Sequence, residues 1–524
     1  MKKKIIVQTV LAGIFALLTF GTRASDTISV PTGSSTFDLL TAFRPWIGTS
    51  NPGALSETGI GNIRLIQVGY MYHDDQIRFI QQPEITSVYH AATKGYMKLG
   101  KLNLFGSFGY SNNSYHGSEY NGTFMFNTLN PYLLGDTVPD RQFKEQFDLQ
   151  GTVSYRLSDR LFVAAGAEYL SAVGAKQKDP RNKNSISYLR IKPGVIYDLG
   201  KTKIGLSGSV YTTSNEIAYS VEGNWNQTLF VLLGLGYYRQ EVNISSYSEW
   251  YRGRGYSGAL QTSHTSNDLY MLAELKYDYF NEEARTGSSF RLIDGISETN
   301  DISLSGLVRI TRDRAFHLLT LDGSFRAVSS DEIQQRSIKV NKVTYVYDSL
   351  ATVSWIENKH LISDIRGNVR YSFIVLDNQN NIEFEAGGGI EMTYFSTEHF
   401  PVQNYGHYNA LNLKGTLFTR KMFHLGRLNF TPGLDLSYRV NLGSDISYTV
   451  QDRSLPEMVY HDYYITKANI IGGKLSVKLE RPITGNKFIR SLFFIPEGNF
   501  AMAPGSQAGD LSGYMVSASA GIIF

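Results

Sequence analysis

The chain of 524 residues contains no cysteine. Disulfides, thiolate metal ligands and a cysteine nucleophile are therefore excluded. Long apolar runs are missing too once the first twenty residues are passed. Phe230 to Gly236 is among the longest, well short of the roughly 18 residues that identify a membrane helix. Proline is sparse at 14 residues, and neither sign of charge is in excess, with 50 basic and 47 acidic residues. The slight basic surplus belongs to the N-terminus, where Lys2, Lys3, Lys4 and Arg23 are opposed by no acid, leaving 46 basic and 47 acidic residues after position 24. A nucleic-acid partner, which would require a concentrated positive face, is not expected.

What is present begins with an export signal. Lys2 to Lys4 form a basic head, Ile5 to Phe20 an apolar stretch, and Thr22-Arg23-Ala24 a peptidase-type site. Residues 1–24 are expected to be removed after Ala24. The chain as a whole is rich in Tyr (34), Phe (29) and Gly (49), yet its mean hydropathy is only −0.20. In a bilayer every backbone N–H and C=O must be paired internally, so a membrane protein without spanning helices has to be a closed barrel.

Alternation supports that architecture. From Phe147 to Leu157 the odd positions read Phe, Leu, Gly, Val, Tyr, Leu and the even ones Asp, Gln, Thr, Ser, Arg. Ile382 to Tyr394 repeats the pattern with Glu383, Glu385 and Glu391 on the polar face. Leu428 to Val440 does so with Asp435 and Arg439, and Ile471 to Leu479 with Lys474 and Lys478. A helical period cannot produce these strings. Their length also exceeds the five or six residues of an average soluble strand and matches the roughly 9–11 that cross a bilayer. Leu307 breaks phase within the otherwise regular Ile302–Ile310, and Pro432 removes a ladder donor from its strand.

Short turns are expected at Gly100-Lys101, Ser158-Asp159, Gly200-Lys201, Arg312-Asp313-Arg314, Asp377-Asn378 and Thr484-Gly485-Asn486, facing the periplasm. Longer external loops are expected at 113–144, 174–185, 242–266, 329–360, 396–406, 441–466 and 501–512. The fold class that follows is all-β: one antiparallel transmembrane barrel over residues 60–524, with about twenty strands and a range of 16–22. Residues 25–59 contain Phe43, Pro45 and Trp46 and form either a small inward plug or a periplasmic tail.

The final segment, Tyr514 to Phe524, is amphipathic and ends on an aromatic residue. It resembles the terminal strand that outer-membrane barrels present to the barrel-assembly machinery. Residues 60–524 as a whole resemble a Bacteroides-type outer-membrane β-barrel family without an assigned activity. The resemblance implies a location in the outer membrane of a Gram-negative cell, with lipid and that machinery as partners, and carries no catalytic motif.

Few constellations suggest chemistry. Gly253-Arg254-Gly255-Tyr256-Ser257-Gly258 fits G-x-G-x-x-G, but in a polar loop it lacks the strand and helix that a dinucleotide site needs. His73-Asp74-Asp75, Glu398-His399 and His461-Asp462 read as solvated loop residues, since no metal-ligand spacing accompanies them. No nucleophile-base motif is evident, so no enzyme activity, cofactor or metal is expected, with a membrane-embedded hydrolase the remotest alternative. The lumen is expected to be lined by Arg366, Arg370, Glu383, Glu385, Glu391, Asp435, Arg439, Lys474 and Lys478. A wide barrel with both signs of charge inside points to a porin-like passive conduit for small solutes. The alternative is a non-conducting partner in a nutrient-uptake assembly, binding through the loop aromatics Tyr247, Tyr251 and Tyr256.

Overall fold

The computed structural model describes residues 44–524 apart from 58, 60–61, 125–128, 224–226, 288–291, 342–345, 379, 401–404 and 484–487, with backbone alone over 336–341 and 346–351. The expected export signal, Phe43 and the turn at Thr484-Gly485-Asn486 lie outside the described residues.

Eighteen antiparallel strands form a closed barrel, with one short extra strand, Phe423–Leu425, in the same sheet. Closure comes from pairing Ile63–Asp75 with Gly509–Ile523, in a register that sets Val68 opposite Ala520. Phe524 exchanges two backbone hydrogen bonds with Arg64, at 2.9 and 3.3 Å, and completes the seam. Among the described residues no wall strand is left without a neighbour on either side, so backbone groups are paired around the barrel apart from local bulges and prolines.

The period-two strings explain the two faces. Leu304, Ile390, Leu417, Leu434, Leu436 and Leu475 stand exposed on the outer face. Neighbours one residue along, such as Ser305, Glu391, Asp435, Ser437 and Ser476, turn inward and are polar. Tyr155 and Tyr438 are likewise exposed outside, and Tyr394, Phe430 and Phe524 share their phase. An outer surface this apolar is unstable against water and suited to lipid.

The two ends of the barrel differ. One end carries short connections at 100–101, 157–160, 199–201, 267–268, 313–314 and 377–381. The opposite end carries 76–84, 117–141, 221–245, 400–405 and 448–469. Several expected loops prove to be wall. Strands reach Lys176 and resume at Arg181, and they reach Ser506 and resume at Gly509, so 174–185 and 501–512 are mostly paired. Segment 329–360 lies largely in the long strands Ala315–Asn341 and Val346–Leu376. Segment 242–266 is corrected most: it is mainly the wall strand Ser246–Ser266. Polar side chains do not end a strand whose backbone can go on pairing in water, which is why composition misplaced these boundaries.

Strand-like sequence also lies outside the wall. Thr228–Gly234 and Tyr237–Val242 form a hairpin that pairs with Leu134–Gly135 in a separate three-stranded sheet. That sheet sits inside the loop end of the barrel.

Candidate functional site

Eighteen strands enclose more space than wall side chains can fill, and four loops occupy it at the loop end. Loop 117–141 is bent inward by successive Asx turns. Thr123 N–H donates to Asn121 Oδ1 at 2.8 Å, Tyr132 N–H to Asn130 Oδ1 at 3.0 Å, and Val138 N–H to Asp136 Oδ1 at 2.9 Å. Gly122 and Gly135 lie where a Cβ would meet the Tyr219 hydroxyl at 2.2 Å and the Tyr120 carbonyl carbon at 2.1 Å. Both glycines are required by close approach.

This loop is tied to the wall by polar contacts taken out of water. Lys176 Nζ meets Asp136 Oδ1 at 2.6 Å with both side chains buried, and the Tyr219 hydroxyl donates to Asp136 Oδ2 at 3.2 Å. Asn182 and Asn184 donate to the Gly122 carbonyl at 2.9 and 2.8 Å. Leu134 N–H donates to the Tyr251 hydroxyl at 2.8 Å. Around these bonds Tyr132, Leu134, Ile217, Tyr219, Leu229, Val231 and Tyr251 form a buried apolar cluster shared by loops and wall.

The hairpin from loop 221–245 turns at Gly234-Leu235-Gly236, all with positive φ. Its Arg239 reaches Asp294 of the wall at 3.2 Å. On its other side lies the helix Pro456–Lys467. Val459 and Tyr463 pack with Leu235, Tyr237 and Tyr408, while Met458 packs with Leu133 and Leu232. Loop 76–84 closes the last gap: Ile80 N–H donates to Asp462 Oδ1 at 3.1 Å, and His461 Nε2 donates to the Arg78 carbonyl at 2.9 Å. Burial pushes the Asp462 carboxyl up to about 7, against the opposing pull of the Ile80 N–H and the Arg78 charge. The cap thus bonds to wall strands from Gln142–Arg156 round to Leu428–Ser447.

Among the described residues, the turn end is filled on one side only. Pro45–Gly48 and Pro52–Glu57 form two 3₁₀ turns inside the wall. Trp46 is buried with Ala54, Phe162 and Ile196 against Tyr270 and Leu272, and its Nε1 donates to Ser263 Oγ at 3.0 Å. Asn51 Nδ2 donates to the Val195 carbonyl and to Gln261 Oε1, both at 3.0 Å. Ser50 donates from backbone and hydroxyl to Glu274 at 2.8 Å each, and Glu57 pairs with Lys203. The out-of-phase Leu307 is explained here: it faces inward and pairs with Leu272, on the patch that seats this segment.

Between the cap and the turn end, the far wall encloses cavities of about 460 and 640 Å³ that share Glu391, Lys414 and Thr416. Of the residues expected to line the lumen, most lie on this wall and are engaged. Arg366 pairs with Asp364 at 2.7 Å, Glu385 with Arg420 at 3.6 Å and Glu391 with Lys414 at 3.8 Å. Lys474 pairs with Glu497 at 2.9 Å and Lys478 with Glu480 at 3.8 Å. Arg370 lies 3.9 Å from the Phe418 ring centroid, and Asp435 lines the smaller cavity. Glu383 is exposed near the start of its strand, at the turn end. Arg439 acts differently. It donates to the carbonyls of Ile465 at 2.8 Å and Ala468 at 2.9 Å, binding the C-terminal end of the cap helix.

Three readings of motifs are corrected. The G-x-G-x-x-G sits within a wall strand, where Gly253 and Gly255 leave room for Phe280 and Tyr211, whose rings stack at 5.7 Å. Tyr247, Tyr251 and Tyr256 form no external surface, because Tyr251 is buried inward and Tyr256 is exposed on the outer face. His399 and Asp462 are packed rather than solvated, since the loops that were expected to hang outward fold in. The cap itself was missed. Its legible trace was the run of Asx and glycine turns, at Asn121, Asn130, Asp136, Gly234 and Gly236.

Solved structures similar to this chain are distant. The outer membrane transporter YddB from Escherichia coli shares 7% identity, with 88% of this chain and 80% of that one covered and a TM-score of 0.37. BauA, the ferric preacinetobactin receptor from Acinetobacter baumannii, shares 8%, with 88% and 80% covered and a TM-score of 0.40. The FrpB iron transporter from Neisseria meningitidis shares 11%, with 90% and 83% covered and a TM-score of 0.37. At these scores the neighbours carry no functional argument. No curated protein matches the chain. A family model matches residues 52–524, and the chain belongs to that family, described as a family of unknown function (DUF6850).

Proposed function

We propose that this chain is an outer-membrane barrel for uptake of small polar solutes whose resting state is shut. The loop end faces outside and the turn end the periplasm, as the lipid-suited outer face and the asymmetry of the connections favour. The observation that carries the reading is the buried cap, which joins loops 76–84, 117–141, 221–245 and 448–469 into one layer bonded to the wall. A freely open porin does not fit that layer. The polar cavities behind it provide a path once the cap or the N-terminal segment is displaced, a step that falls to a partner in an uptake assembly. In this reading the chain conducts and does no chemistry.

Single-channel recording of the refolded protein in planar bilayers tests it. The full chain is expected to stay silent, and a variant with residues 228–242 replaced by a short Gly-Ser link is expected to conduct. Steady conductance from the full chain would return the protein to the open-porin class.

A further inference from the structure

The seam between cap and wall holds a feature that solute passage does not use. His360 and His399 are direct cross-strand partners where Val346–Leu376 pairs with Ile382–His399. Both rings point inward and both residues are buried, at 3% and 2% exposure. Their centroids are 5.9 Å apart. The Nδ1 atom of each ring is buried with no hydrogen-bond partner, a costly condition for two neighbouring groups. His360 Nε2 lies 3.1 Å from Thr397 Oγ1. In the tautomer that donates this N–H to Thr397, the Nδ1 lone pair is free and the ring is held by its far nitrogen, the arrangement of metal-ligating histidines. The His399 ring is fixed by stacking on Tyr237 at 4.8 Å.

We propose that His360 and His399 form a two-imidazole site for a soft monovalent cation of the Cu(I) or Ag(I) class. With nitrogen–metal bonds of about 2 Å, as imidazole makes to zinc, a centroid separation of 5.9 Å is within the span over which one ion can reach both rings. The surroundings decide the ion. Among the described residues no group of three or more His, Cys, Asp or Glu could hold a metal. Of the carboxylates nearby, Glu332 is paired with Lys359 at 2.9 Å and Asp462, which lines the same cavity as His360, accepts the Ile80 N–H at 3.1 Å, so each is already engaged by another partner. Zinc, which takes four ligands in closed sites, is poorly served, whereas a d¹⁰ monovalent ion accepts two neutral donors. A cavity of about 110 Å³ lined by His360, Thr397 and Met458 adjoins the His360 ring from the cap side. The bound ion would be felt by the cap, because Gly234 rests on His360 so closely that a Cβ would stand 2.5 Å from its Cδ2.

The inference does not depend on whether the barrel conducts, since its readout is binding. The refolded full chain in detergent is titrated with Ag(I), then desalted, and the retained metal is measured by mass spectrometry. One ion per chain is expected. Binding should weaken by about tenfold or more in His360→Gln and in His399→Gln, and remain unchanged in His264→Gln, which lies on the outer face near the turn end. Imidazole ¹⁵N spectra of the unmodified protein supply a second measurement if the seam variants misfold. Two of the ten histidines should shift on addition of one equivalent. Preferential retention of Zn(II), retention that survives in the folded double variant, or spectra unchanged by Ag(I) would each overturn the site.

Discussion

Two arcs of one wall share the same inward phase and differ in what they present. The arc from Gln142–Arg156 to Leu269–Thr286 turns Phe162, Ile196, Ile217, Tyr219 and Tyr251 into the lumen, and all are buried. The arc beyond it turns Asp322, Arg366, Arg370, Glu391 and Lys414 toward open cavities. Alternation determines which residues point inward, but the contents of the lumen determine their chemistry. Where protein lies against the wall, inward residues join a folded core with buried polar ties such as Lys176 to Asp136. Where the lumen is open, they are mainly polar and several are paired, as Arg366 with Asp364 and Glu391 with Lys414.

The largest expected effect lies in the filled arc. Trp46→Ala removes the anchor of the N-terminal segment, with a loss of roughly 3–5 kcal/mol as for large-to-small changes in a core. Residues 44–57 should become cleavable by added protease while the wall stays intact. Resistance equal to that of the unchanged chain would mean that the Asn51 and Ser50 bonds suffice, and would erase the contrast between the arcs at the turn end.

A pair of adjacent substitutions separates outer face from lumen. Leu434→Arg puts a cation on the exposed apolar face and should cost roughly 2–4 kcal/mol on folding into lipid vesicles. Asp435→Arg, which lines a wet cavity, should fold like the unchanged protein. Equal folding of the two would refute the assignment of faces.

Next is Tyr251→Phe, which deprives the Leu134 N–H of its acceptor. A buried donor left unsatisfied costs about 1–3 kcal/mol, and the loss should appear as faster amide exchange at 132–136 with the outer strands unaffected. Uniformly faster exchange would show cap and wall to be one cooperative unit.

The smallest effect is a pH dependence. Asp462 is held protonated in the cap up to about 7, whereas a carboxyl free in solution titrates near 3.9. Its contribution to cap docking is complete below the free value and is lost as pH rises through the folded one. Protection of the helix Pro456–Lys467 should therefore fall between about pH 4 and pH 7 and level off above. Asp462→Asn keeps an acceptor for Ile80 and should flatten the profile. An unchanged profile would assign the dependence to another group.

The limits of reading the sequence show at particular residues. Leu434, Leu436 and Tyr438 could be set on the outer face from spacing alone, because lipid imposes one requirement on every outward side chain. Leu307 looked like a phase error until the N-terminal segment was seen to need an apolar seat. Arg439 read as a pore charge and is a helix anchor, since a string of alternating residues does not reveal what approaches from across the barrel. Gly253 and Gly255 matched a phosphate motif, yet they make room for two rings.

The sequence by itself determined that the chain is a β-barrel with an apolar exterior, short connections at one end, and a sealed ladder of backbone bonds. Those features follow from local alternation and from a rule that holds at every position in a bilayer. Only the tertiary structure decided that loops fold into the mouth, that His360 meets His399, and that most of the expected lumen charges are paired with other wall residues. These depend on contacts between residues far apart in the chain, such as Ile80 with Asp462 or Trp46 with Ser263. No local period encodes such pairs, because they exist only once the wall has closed around them.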